Sequence, residues 1–394
     1  MDIKHRFLNA INHLPVDRIP LMYRGFPETT EKLLEYFIDI EAESKTDLHS
    51  IIYNTQAVEE NYEKLLRELG ADMFAGGYAL SAFTTYFPCY AGPDKDIERD
   101  HIYWFSWGID NRVVQLSGYN SVMYGFKPPL AGCDSVTELL KYDFPRIEWF
   151  DLSNYYSLAT GPDSKILAIK ELDTLGTRQH EFLCTGLNNS IFTMCGYLRN
   201  LQQFLEDLVL NVKFAKVLID TVGNFCYEFN RELLSKIGDR IEVYAIWDDV
   251  AMQSGIMISP PLWRKLLKPW FKKMIAEAKK YDLIVFYHCC GSYHEIVSDL
   301  IDIGVDILDP VQTSAKDWDL LTLKKRYGKN LCFHGGYDMQ KLLTGSPGDI
   351  KKEGEKIKRI FDNEGGIILG PSAEITPDVP VENIIAMYRC FMNE

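Results

Sequence analysis

From residue 182 to the C-terminus this chain repeats one pattern, a short apolar run followed by a stretch with apolar residues at helical spacing. The runs at 182–186, 241–247, 283–287, 306–308, 331–333 and 366–369 read as strands, being too short for helices. Between them, 201–236, 261–280, 295–303, 319–327 and 349–363 read as helices. Ser259, Pro260 and Pro261 mark one helix start, with serine near the cap and proline in the first turn, where its missing N–H matters least. Strand and helix in regular alternation predict parallel strands joined by right-handed crossovers. In the first half, 19–22 and 71–75 read as the opening strands.

An open doubly wound sheet and a closed barrel both satisfy this order. No glycine fingerprint of the dinucleotide or P-loop kind follows any of the runs, which removes the main argument for a nucleotide-binding sheet. Polar groups instead collect after five successive runs: Asp248 and Asp249, His288 and Cys290, Asp309 and Gln312, His334 and Asp338, Ser372 and Glu374. A barrel gathers its chemistry at the carboxyl ends of its strands. The expected fold is therefore α/β, a (β/α)8 TIM barrel in which 1–394 form a single domain, since no low-complexity tract or linker divides the chain. Residues 77–165, rich in Tyr, Trp, Phe, Pro and Gly, are expected to form an insertion or cap within it, over the barrel mouth.

The 42 basic and 56 acidic residues leave a net charge of −14, which argues against nucleic-acid or membrane-surface binding. No apolar run is long enough to cross a membrane, and the N-terminus lacks the apolar centre of a signal peptide, so a cytoplasmic location is expected. The nine cysteines are odd in number and irregularly spaced, which speaks against a disulfide framework. Cys289 and Cys290 stand apart because they adjoin His288. Residues two apart on a strand share a face, so His288 and Cys290 present an imidazole and a thiolate together. Both are ligand types that zinc favours. Cys289 is expected to point away, into packing.

Several stretches together resemble the uroporphyrinogen decarboxylase superfamily, which includes the corrinoid methyltransferases. They are Pro15-Val16-Asp17-Arg18-Ile19-Pro20, the His288-Cys289-Cys290-Gly291 turn, GVDILDPVQ at 304–312, FHGGYD at 333–338 and VPVENI at 379–384. The resemblance spans nearly the whole chain and implies a (β/α)8 barrel. The methyltransferase branch implies zinc held by His288 and Cys290, with methyl passing to or from a cobalamin on a separate corrinoid protein. Its further cysteine falls near Ala373, so Glu374, Asp249 and His334 are the candidates for a third ligand, and Glu374 is nearest in sequence. The decarboxylase branch, which serves tetrapyrrole (porphyrin) biosynthesis, implies Arg24 as a cation for substrate carboxylates and Tyr197 in the tyrosine position. Its histidine also falls near Ala373.

The candidate site is accordingly Asp249, Tyr197 and His334 for catalysis, with Arg24, Asp248, Gln312 and Asp338 for substrate contact. His288, Cys290 and Glu374 are the candidate metal ligands. The leading expectation is a zinc- and corrinoid-dependent methyltransferase acting on a thiol or methyl ether. A decarboxylase and a non-catalytic small-molecule-binding barrel are the alternatives, and the oligomeric state stays open.

Overall fold

The computed structural model describes residues 1–38, 64–75, 84–93, 106–116, 119–157, 167–168, 183–185 and 189–392. Eight strands are assigned to the barrel: β1 (Met22–Arg24), β2 (Met73–Ala75), β3 (Leu183–Thr185), β4 (Val243–Trp247), β5 (Ile284–His288), β6 (Ile307–Val311), β7 (Cys332–Tyr337) and β8 (Ile367–Pro371). β1 pairs in parallel with β2, and β3 through β8 pair in parallel in chain order. Parallel bridges from Leu21 to Leu369 and from Gly25 to Ile375 bring β8 back to β1. On the other side, β3 pairs in parallel with the start of the strand Thr84–Tyr90. The fold is the expected (β/α)8 TIM barrel.

Alternation along the strands sorts side chains into two cores, as period-two geometry requires. Met22, Val243, Ala245, Trp247, Phe286, Ile307, Cys332 and Ile368 fill the barrel interior, together with Phe7 and Ile11 from the helix Ile3–Ile11. The intervening residues, such as Tyr244, Val285, Leu308 and Phe333, face outward into a larger core shared with the helices. Continuing the inner series places His288 after Phe286, Asp309 after Ile307 and His334 after Cys332. The helix Ile3–Ile11 lies across the amino ends of the strands, where Lys4 Nζ meets Glu242 Oε1 at 2.5 Å and Gly366 N–H donates to the Ala10 carbonyl at 2.7 Å. Asp72, just before β2, accepts from Arg6 (2.5 Å), Arg18 (2.6 Å) and the Leu21 N–H (2.9 Å), tying that helix to the first two strands.

Two expected helices are each divided. The 201–236 stretch is Leu201–Leu210 and Val212–Ile237, broken at Asn211, and the 261–280 stretch is Pro260–Leu266 and Lys268–Ala278. Pro269 falls in the first turn of the second helix, where its missing N–H needs no partner, so a helix start at Lys268 and a break at Leu267 are the natural outcome. Within the 77–165 span, the strands Thr84–Tyr90 and Phe150–Ser157 pair antiparallel, so part of that span extends the sheet. The rest of the expected insertion, at 77–83, 94–105, 117–118 and 158–165, lies outside the described residues, and two described aromatic residues of the span pack on a barrel helix. Trp107 meets Phe225 at 5.0 Å between ring centroids, and Phe150 meets Phe229 at 4.9 Å, both partners lying on Val212–Ile237. A hairpin of Asn111–Leu116 and Tyr119–Tyr124 follows Trp107, and Gly125 at its end abuts Tyr197. Among the described residues no helix is long and apolar enough to cross a membrane.

Candidate metal centre

β5 delivers His288 to the carboxyl end of the ring with its side chain pointing inward, against the Trp247 ring at 5.1 Å. The chain then turns, so that Cys289 is buried in the outer core while Cys290 returns to the same side as His288. Cys290 Sγ lies 3.7 Å from His288 Nε2, and Asp249 Oδ1, just beyond β4, lies 3.8 Å from the same nitrogen. The three donor atoms all fall within 4.8 Å of one another. Asp249 Oδ1 also accepts the Cys290 N–H at 2.7 Å, which fixes the two ligand-bearing turns against each other. The other imidazole nitrogen of His288, Nδ1, is bonded to Asp309 Oδ2.

Asp309 is entirely buried between two imidazoles, its Oδ1 taken by His334 Nδ1. Burial acts to raise its pKa, but the His334 and His288 imidazoles outweigh that and hold the carboxyl well below the usual carboxylate range. For His288 burial acts to lower the pKa, and the hydrogen bond and charge of Asp309 overcome it and raise it. A cation at Nε2 would have to replace a proton there, leaving the proton on Nδ1 with Asp309. His334 is fully buried and its Nε2 faces Met22 Sδ at 3.1 Å, so neither ring nitrogen is directed at a substrate.

The sequence model of uroporphyrinogen decarboxylase (URO-D) matches residues 167–393, which carry the whole of this arrangement except Met22. The chain belongs to the uroporphyrinogen decarboxylase family. The structure also superposes on a methyltransferase from Methanosarcina mazei with a TM-score of 0.59 at 17% identity, over 99% of this chain and 98% of that one. At that identity the likeness shows the shared fold. A Listeria monocytogenes chain described as a vitamin-B12 independent methionine synthase, 13% identical over 96% of both chains, reaches a TM-score of only 0.38. No curated protein matches the sequence.

As a uroporphyrinogen decarboxylase family member the chain departs from expectation at several mouth residues. Glu374, the nearest-in-sequence candidate for a third ligand, is turned to Arg24, whose Nε and Nη2 donate to its Oε1 at 3.0 and 2.6 Å. Burial acts to raise the Glu374 pKa, and the Arg24 charge more than offsets this and lowers it. Asp249 takes the third position in the cluster instead. Asp248, a candidate for substrate contact, accepts the N–H groups of Phe192 (3.1 Å) and Thr193 (2.8 Å) at the start of the helix Phe192–Arg199. Complete burial pushes its carboxyl up to about 7, against the pull of those two hydrogen bonds.

Asp338 likewise caps its own helix, Met339–Thr344, by accepting the Gln340 N–H at 2.8 Å. Gln312 joins three segments: its Oε1 accepts from Gly291 N–H (2.8 Å) and Gln253 Nε2 (2.7 Å), and its Nε2 donates to the Ser372 carbonyl (3.2 Å). For Tyr197 burial, then the charges of Asp249 and Cys290, push the hydroxyl up to about 12. Sequence reasoning placed Asp309, Thr193 and Gln253 outside the candidate set. For Asp309 a signal did exist, an acid two positions after an inward isoleucine on an otherwise apolar strand.

Proposed function

We propose that this family member is a zinc-dependent methyltransferase of the corrinoid type. The observation that carries the reading is the convergence of Asp249 Oδ1, His288 Nε2 and Cys290 Sγ at the carboxyl end of the barrel. Zinc bonds of roughly 2.0–2.3 Å put tetrahedral donors about 3.5 Å apart, so separations of 3.7 and 3.8 Å fit the ion with small adjustments. A sulfur, an imidazole and a single carboxylate suit zinc better than magnesium or calcium, which prefer oxygen. With Asp249 and Cys290 both anionic, the ligands balance a divalent charge, and three protein donors leave a fourth position for substrate.

When bound, zinc supplies Lewis acidity that turns a thiol into a thiolate or polarises a methyl-ether oxygen. The chain's own residues do the rest. Asp309 keeps the proton on His288 Nδ1 and so presents Nε2 as a lone pair. Asp249 ties its turn to that of Cys290. Tyr197 keeps its proton throughout the neutral range. Trp247 covers one side of His288 with apolar surface. The methyl carrier on this reading is a cobalamin borne by a separate protein that meets the barrel mouth. The decarboxylase reading is weaker because Arg24, the cation it requires for carboxylates, already gives two nitrogens to Glu374.

Metal analysis of protein purified without chelator tests the reading. About one zinc per chain is expected, lost on His288→Ala or Cys290→Ser and reduced on Asp249→Asn. Methyl transfer is followed by the absorbance change between cob(I)alamin and methylcobalamin with simple thiol and methyl-ether substrates. Metal content unaffected by all three substitutions sinks the ligand assignment. Carbon dioxide release from uroporphyrinogen by metal-free protein would replace it with the decarboxylase, and a retained ligand without turnover with the binding barrel.

A further inference from the structure

We infer that Asp309 is the positioning residue of this centre, gripping the His288 ring and the backbone that leads to Cys290, and that His334 is its anchor rather than a catalytic group. The inference rests on the zinc reading above. Its physical basis begins in the strand pairing. Leu308 lies opposite Phe333 but Val311 lies opposite Gly335, so Asp309 and Pro310 together face the single residue His334. An extra residue of this kind forms a bulge, which re-aims side chains and is common beside active sites. The partner strand accommodates it with Gly335, whose φ of +87° and position 3.3 Å from Pro310 Cβ (measured to a would-be Cβ) leave little room for a side chain.

The re-aimed carboxylate is fully buried, and both of its oxygens are engaged, Oδ2 with His288 Nδ1 and Oδ1 with His334 Nδ1. An ionised carboxylate only accepts, so each Nδ1 carries a proton. That selects the His288 tautomer whose Nε2 lone pair faces Cys290 and Asp249. The Asp309 carbonyl meanwhile accepts the Cys289 N–H at 2.8 Å and the Tyr293 hydroxyl at 3.4 Å, so the same residue holds the turn between the two ligands. On its far side His334 packs against Met22, whose Sδ lies 3.1 Å from Nε2, and against Phe286, whose ring centroid is 5.5 Å away. Carboxylates that orient a ligating histidine typically change metal affinity by roughly 10–100-fold when removed.

The test measures zinc affinity by competition with a chromophoric chelator and records the visible spectrum of the Co2+-loaded protein. Asp309→Asn retains one acceptor oxygen but cannot serve both imidazoles. It is expected to weaken zinc binding by roughly 10–100-fold and to alter the Co2+ bands while unfolding stays cooperative. His334→Gln, which releases the anchor and leaves the Oδ2 contact in place, is expected to produce a smaller loss and a Co2+ spectrum intermediate between the two. It also serves if Asp309→Asn does not fold. Unchanged affinity and spectrum in the folded variants, with zinc still lost on Cys290→Ser, overturn the positioning role and leave the metal centre standing. A wild-type protein that binds no zinc removes the centre and this inference with it.

Discussion

Asp248 and Asp249 are consecutive residues in opposite surroundings. Asp249 is about half exposed and faces His288 and Cys290; Asp248 is buried completely and faces the start of a helix. A carboxyl whose folded pKa is raised stabilises the fold while it is protonated. That contribution is complete below the unfolded value, for which the reference is 3.8, and is lost as pH rises to the folded value of about 7. Asp248→Asn removes the titration and leaves one helix N–H without its acceptor, a loss of about 1–2 kcal/mol. In chelator-treated protein the destabilisation should therefore be largest below about pH 4, fall by about 1.4 kcal/mol per unit as pH rises from there, and reverse in sign before pH 7, above which the difference is flat. Thermal unfolding of both proteins across this range checks it. A deficit that grows with pH would mean that Asp248 is ionised and serves as a charged cap. At this scale the sequence was legible where chemistry follows local spacing: His288 and Cys290 share a face because they are two apart on an extended chain. It was not legible where a side chain chooses between partners. Glu374 and Arg24 are 350 positions apart, and nothing near either one announces their pairing.

The element that makes the centre is the turn after β5, and it is locked from two directions. Gly291 N–H reaches Gln312, and Ser292 N–H reaches the Met252 carbonyl at 3.0 Å on the short hairpin of Ala251–Met252 and Gly255–Ile256. Gly291 has φ +84°, and a Cβ there would lie 2.4 Å from the Met252 backbone carbon and oxygen. Gly291→Ala therefore strains the backbone and pushes on a neighbour that has no flexible end to yield. A loss of roughly 1–3 kcal/mol in denaturant unfolding is expected, together with weaker zinc binding, because Cys290 precedes the displaced residue. Stability lost with zinc affinity unchanged would show that the hairpin moves and the ligands do not. The same scale explains which elements could be read in advance. β4 to β8 are short apolar runs with turns at both ends, and all five were recognisable within a few residues. The bulge at Asp309 and Pro310 was not, because it is a mismatch between two strands and leaves no trace in either one alone. The division at Leu267 was readable from the missing N–H of Pro269 in the following turn but was masked by helical periodicity on both sides.

Across the whole molecule the barrel separates support from chemistry. Its carboxyl end carries Asp249, His288 and Cys290, whereas its amino end is closed by the helix Ile3–Ile11, whose Phe7 enters the interior beside Met22, Phe286 and Ile368. That closure was invisible in the sequence. The helix is a short amphipathic segment like any other, and only the ring behind it makes its apolar face a plug. The separation has a measurable consequence. Phe7 is completely buried, so Phe7→Ala leaves a cavity at the floor of the barrel and should lower stability by about 3–5 kcal/mol. The Trp247 and His288 layer above retains its own partners, since Asp309, Asp249 and Cys290 hold it from the strands. Zinc content and affinity of the folded variant should accordingly stay at wild-type values while its unfolding midpoint falls. If the zinc affinity of the folded variant falls as well, the interior transmits strain along its length. The amino-terminal plug would then be part of what shapes the metal centre.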